Sequence, residues 1–278
     1  YRLTDEGWLD IHIITVDLNN GNISVSPVLS KKDAGLRQTV SNLLTDNGAV
    51  AGVNSAYFGM TGNYSSAFAP QIADGEILSL DADKNIDKNQ FGTYFVDANG
   101  NSYFDYFKTT LDFYVNGERK LEVAAMNAIT EMKYPVYIDQ NAMTTTAALD
   151  TRFTDLMKIV VEDGIITKVS ARGETVNVPS NCYIIALGTD FANAYEGKFT
   201  VGQSAEFKIN TTFNVDNIEN AISGGGVILK DGVKPENYGE MASGKHPRTL
   251  LGISQDGSTM KLIVVEGQRT GGSSNSAG

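Results

Sequence analysis

AISGGGVILKDG, residues 221–232, and GKHPRTLLGISQDGSTMKLIVVEG, residues 244–267, decide how this chain is read. Apolar, β-branched runs are broken by Lys-Asp-Gly and Gln-Asp-Gly, the turn chemistry that closes antiparallel hairpins. The same stretch gathers a triple glycine (Gly224, Gly225, Gly226), a basic cluster (Lys245, His246, Arg248) and a strand, MKLIVVEG, that ends in Glu266. These are the parts of an anion-handling site. The chain as a whole is acidic, with 33 carboxylates against 22 Lys and Arg and a net charge of -11. A local positive potential on such a background suits a small negatively charged group rather than a polyanion. A pI near 4.7 supplies no extended basic face, so nucleic acid is not an expected partner.

Working outward, the turn signals recur: NNGN at 19–22, DANGN at 97–101, VNGE at 115–118 and EDG at 162–164. Regular turns between β-branched and aromatic runs predict many antiparallel strands. Trp8–Leu18 and Ile23–Val28 read as one hairpin. Lys158–Ala171 reads as another, with one wet face. Helical signal is sparse. Thr39 or Ser41 can cap a short helix that stops at Gly48, and residues 190–197 suggest a second. AVAGVN, residues 49–54, reads as a buried strand running into a polar loop. The expected fold is α+β: a strand-dominated mixed or antiparallel sheet with a few short helices, in one domain over 1–278. The tail TGGSSNSAG is composed like a flexible segment. No apolar run approaches the length of a membrane span. The chain starts at Tyr1 without Met, charged n-region or apolar h-region, so any export signal or lipid anchor is expected to lie upstream or to have been removed.

The single cysteine, Cys182, sits in an apolar run and reads as a buried, inert thiol. SGGGVILKDG lacks both the Gly-Lys-Ser/Thr ending of a P-loop and the spacing of a dinucleotide fingerprint. Its glycines either turn backbone N–H groups into an anion-binding nest or form a bulge at a strand entry. Arg248 offers a rigid fork of donors to phosphate or carboxylate oxygens, with His246 beside it. Lys245 reads as surface, and His12, inside the first strand, as a structural histidine. Glu266 is placed to act as nucleophile, base or acceptor, or simply to cap a turn. Asn54, Tyr57 and Phe58 follow the 49–54 run and combine an amide with flat aromatic faces, the ingredients of a sugar-binding wall. No motif calls for a cofactor: HExxH and EF-hand patterns are missing, and only a divalent ion on scattered oxygen ligands stays open.

GAVAGVNSAYF, AISGGGVILKDG, the HPRTLLGISQDG block and LIVVEG, in this order and spacing, resemble the phosphodiester glycosidase domain family, found in bacterial proteins and in the mammalian uncovering enzyme of lysosomal targeting. The resemblance runs from about Trp8 to Gln268 and is sharpest at Arg248, Thr249 and Gly252. It implies hydrolysis of a sugar 1-phosphodiester to a free sugar and a phosphomonoester, by an exported bacterial protein. Catalysis would fall to Glu266 and Arg248, with Asn54, Tyr57, Phe58, Gly224, Gly225, Gly226, His246, Thr249, Gly272 and Ser273 binding the substrate. Two departures stand out. The family's Asp-Gly-Arg is here Glu266, Gly267 and Gln268, and its later Leu-Asp-Gly-Gly-Gly-Ser-Ser motif is represented at most by Gly271–Ser274. The alternative they favour is a cell-surface carbohydrate or glycopolymer binding module without turnover.

Overall fold

The computed structural model describes residues 2–4, 7–30, 37–58, 67, 69–82, 91–129, 131–236 and 246–266. Strands dominate, the helices are short, and the sheets are mixed and antiparallel, an α+β fold. In chain order, β1 (Arg2–Thr4) pairs with β2 (Gly7–Leu9), and β3 (Ile11–Asp17) precedes α1 (Val40–Asp46). There follow β4 (Gln71–Ala73), β5 (Glu76–Asp81), β6 (Gly92–Asp97), β7 (Ser102–Tyr106), β8 (Thr109–Val115), β9 (Glu118–Val123), β10 (Ala125–Met126) and β11 (Val136–Ile138). After α2 (Ala147–Arg152) come β12 (Met157–Glu162), β13 (Ile165–Val169) and β14 (Cys182–Leu187), then α3 (Thr189–Ala194). The last strands are β15 (Ala205–Thr211), β16 (Ile218–Ser223), β17 (Arg248–Ile253) and β18 (Thr259–Val265).

A central sheet runs β13-β12-β14-β11-β10-β5-β4-β16-β6-β7, parallel at β10/β11 and antiparallel elsewhere. Strand alternation sends successive residues to opposite faces and so builds two cores. One face, carrying Phe95, Ile159, Val161, Ile185 and Ala221, packs on the sheet β15-β8-β9 through Leu111, Phe113 and Leu121. The other face has two covers. At the β11/β12/β14 end, Val136, Val160 and Ile184 pack with Leu149 of α2. At the β6/β16 end, Tyr94, Val96 and Ile222 pack against the sheet β17-β18-β3 through Leu251, Met260, Leu262, Ile14 and Val16.

Several turn signals coincide with hairpin turns of the structure. Asp-Ala-Asn-Gly joins β6 to β7, Val-Asn-Gly-Glu joins β8 to β9, and Gln-Asp-Gly lies between β17 and β18. The 158–171 hairpin forms as β12 and β13, but β12 is buried on both faces because α2 covers its second side, and the wet strand is the edge strand β13. Thr39 caps α1 by accepting the Asn42 N–H, and α3 overlaps the expected 190–197 segment, starting one residue earlier. Cys182 is buried in β14, and burial pushes its thiol up to about 11.

Two expectations fail. Residues 23–28 form no strand, and β3 pairs instead with β18 over seven residues, Ile11 through Asp17. Pro27 lacks a ladder donor, whereas β18 offers an unbroken apolar face. Residues 49–54 are also irregular, with Val50 fully exposed; α1 buries no residue that would carry this segment inward. No described helix is long and apolar enough to cross a membrane.

Candidate functional site

Three remote pieces of chain meet where β16 ends. The Ser223 carbonyl accepts the Ala56 N–H at 3.1 Å and the Ser55 hydroxyl at 3.2 Å. Ala56 has φ 54°, a left-handed conformation that a Cβ-bearing residue holds only when its surroundings fix it. This pins the adjoining Asn54, whose Oδ1 accepts a hydrogen bond from Thr249 Oγ1 at 2.7 Å. The end of β16, the Asn54 loop and the start of β17 are thereby joined through polar groups.

The neighbouring strands bring two more side chains to the same end. In the antiparallel register Thr249 lies opposite Val264, and Val264 opposite His12. Residues directly opposite share a face, so Thr249 and His12 lie on the side turned toward the central sheet, with Leu251, Leu262 and Ile14. Glu266, just past β18, continues that row, and its N–H bonds the Asp10 carbonyl at 2.9 Å. His12 Nε2 is 3.3 Å from Glu266 Oε1, with the side chains 66% and 44% exposed. An ion pair this open contributes under about 1 kcal/mol, so it positions the carboxylate more than it stabilises the fold. His12, expected as a structural histidine, thus has its imidazole exposed beside the candidate carboxylate. Alternation with Ile11 and Ile13 was its sequence signal, but only the β3/β18 pairing shows what it faces.

Arg248 opens β17 opposite Val265 and Ile11, one residue out of phase with Thr249. It therefore sits at the same end of the sheet but on the opposite face, with its Nη1 donating to the Pro247 carbonyl at 3.3 Å. His246 is exposed just ahead of it.

The glycine run prolongs the β16/β6 ladder. Gly224 N–H bonds the Gly92 carbonyl at 2.8 Å, and Gly92 N–H bonds the Gly225 carbonyl at 2.5 Å. Gly224, Gly225 and Gly226 are not among the described residues with positive φ. The run therefore has the strand-entry form rather than the alternating left-handed turns of a nest. A Cβ on Gly92 would lie 3.0 Å from both Gly225 O and Val227 N, which explains glycine there. Of the aromatics, Tyr57 is tilted against Phe91 at 6.5 Å, and Phe58 bridges Ala67 and is 40% exposed. Gly272 and Ser273, like Lys245, Gly267 and Gln268, lie outside the described residues.

Chemically, the arrangement offers an amide and a hydroxyl locked together, a carboxylate held by an imidazole, and a guanidinium at the rim. Among the described residues no three of His, Cys, Asp and Glu gather as a metal group. Residues 156–277 match the model of the phosphodiester glycosidase family. The match spans under half of the chain and supports the resemblance to that family. The matched part holds the glycine run, Arg248, Thr249 and Glu266, while Asn54 and His12 come from outside it.

Among solved structures, a hypothetical protein from Synechocystis superposes with a TM-score of 0.70 at 13% identity, covering 92% of this chain and 48% of that one. A candidate exported protein from Burkholderia pseudomallei K96243 superposes with a TM-score of 0.69 at 14% identity, covering 93% of this chain and 62% of that one. At such identities the likeness is one of fold. This chain spans just under half of the length of the first and under two thirds of the second. No curated protein matches it.

Proposed function

We propose that this protein hydrolyses a sugar 1-phosphodiester, adding water at the anomeric carbon, breaking its bond to the phosphate oxygen and releasing a free sugar and a phosphomonoester. The observation that carries this reading is the 2.7 Å Thr249 to Asn54 hydrogen bond beside the His12–Glu266 pair. It joins the family's most specific element to the polar loop that would orient a sugar. The leaving phosphate needs little protonation, so positive charge can replace much of a general acid. His246 and, reaching around the strand end from the other face, Arg248 would supply that charge. Glu266, held by His12, would stabilise or attack the oxocarbenium-like carbon, or activate water. Asn54, Thr249, Tyr57 and Phe58 would orient the ring. The backbone at Gly224–Gly226 would line the floor, and Gly272 and Ser273 would complete the phosphate end. The likeness in fold to an exported Burkholderia protein supports an exported location.

The test is incubation of the purified protein with a chromogenic sugar 1-phosphodiester. Release of sugar and phosphomonoester, reduced about a hundred- to thousandfold in Arg248→Ala, supports the reading. Binding without turnover would replace it with that of a carbohydrate-binding module.

A further inference from the structure

A second cleft opens on the same face of the central sheet as the β17-β18-β3 cover, beside Asp81. Three small residues, Ala124, Ala125 and Ala128, leave its floor open, and Asp81, Glu131, Lys133 and Tyr134 wall it. Its volume is about 170 Å³, an order of magnitude above what one ordered water occupies and below the usual size of a drug-like site. That suits one small ring.

Its position follows from the strand order. β5 is two strands from β16 through β4, and because both pair antiparallel with β4, Asp81 and Ser223 lie at the same end of the sheet. Two inter-strand spacings amount to roughly 10 Å, so the cleft neighbours the Asn54 and Thr249 site without sharing residues with it.

The wall chemistry selects the guest. Tyr134 is 41% exposed and presents an aromatic surface, with Phe191 edge-on at 6.1 Å and the Lys133 ammonium 5.8 Å from its centroid. Asp81 Oδ2 accepts the Ala69 N–H at 3.2 Å, which fixes the carboxyl at the cleft wall. The Glu131 carboxylate offsets the one ammonium, Lys133, so the cleft has no net positive charge to hold phosphate, unlike the Arg248 rim. Donors and acceptors set around an aromatic surface over an alanine floor match the hydroxyls and apolar face of an uncharged sugar. We infer that the Asp81–Tyr134 cleft is a second saccharide subsite, holding an uncharged sugar unit of a substrate that continues beyond the phosphodiester. The inference extends the proposed function, since it takes that substrate to be a glycan.

The experiment is titration of the protein, followed by saturation-transfer NMR, with glucose, mannose and N-acetylglucosamine separately, and with inorganic phosphate for comparison. Saturable binding of at least one sugar is expected, weakened about threefold to tenfold in Tyr134→Ala and in Glu131→Gln. Both substituted residues lie on the cleft wall rather than in the core, so circular dichroism will confirm an intact fold. Failure of all three sugars to bind, equal binding by the wall variants, or displacement by phosphate would overturn the inference. Binding is read without turnover. Sugar binding with no hydrolysis would reject the proposed function alone, and hydrolysis with no sugar binding would reject the subsite alone.

Discussion

Thr249 donates its hydroxyl hydrogen to Asn54 Oδ1 across a sequence separation of 195 residues. That one bond holds the irregular loop after α1 against the first turn of β17, and everything proposed about the site depends on it. Thr249→Val removes the donor while keeping the branched shape. A sugar 1-phosphodiesterase assay should show a loss of about ten- to hundredfold, and denaturant unfolding a change near 1 kcal/mol. Asn54→Ala should cost a similar amount. The double variant should be no worse than the poorer single one, because both remove the same contact.

Glu266→Gln separates chemistry from stability. The carboxylate is 44% exposed, so its pairing with His12 adds little to folding. The melting temperature should stay within a degree or two while turnover falls about a hundredfold or more. A fully active Glu266→Gln protein would remove this carboxylate from the mechanism.

Gly92→Ala tests the glycine ladder. The added Cβ would lie 2.8 Å from Val227 Cγ2 and 3.0 Å from the backbone of Gly225 and Val227. The side chain can rotate away, but the backbone must shift. The expected result is a stability loss of about 1 to 3 kcal/mol together with impaired turnover. Unchanged behaviour in both would show that the β6 and glycine-run contact is dispensable.

Asp81 gives a pH signature. Burial pushes its carboxyl up to about 7, outweighing the Ala69 N–H bond that favours the ionised form. Between about pH 4 and 7 the folded chain keeps a proton that the unfolded chain has released, so this residue makes stability fall as pH rises through that window. Above the folded value the penalty is constant. Asp81→Asn should therefore gain relative to the natural protein by up to a few kcal/mol at pH 8, with the gain vanishing near pH 4. Denaturant midpoints at the two pH values measure it.

Lys158 supplies a contrasting, structural charge. It is fully buried, its Nζ lies 2.5 Å from Asp150 Oδ1 in an ionic rather than well-aligned contact, and it also bonds the Glu174 carbonyl at 2.6 Å. Lys158→Met leaves the Asp150 carboxylate buried beside Thr146, and should cost about 3 to 5 kcal/mol. Adding Asp150→Leu should recover much of that loss in thermal unfolding.

Local chemistry made the strands, hairpin turns, the α1 cap and the acid-ended β18 legible from the sequence, because period-two alternation, φ > 0 turn residues and capping hydroxyls act within a few positions. Tertiary structure decided which strands meet. Strand pairing between distant segments is fixed by which apolar faces can be buried together, and no short window carries that information. So β3 left its expected hairpin for β18, and His12 came to face Glu266. Thr249 reached Asn54, while Arg248, its neighbour in sequence, turned to the other face. The glycines that suggested a nest instead prolong a ladder, because Gly224 and Gly225 exchange backbone hydrogen bonds with Gly92 of the adjoining strand.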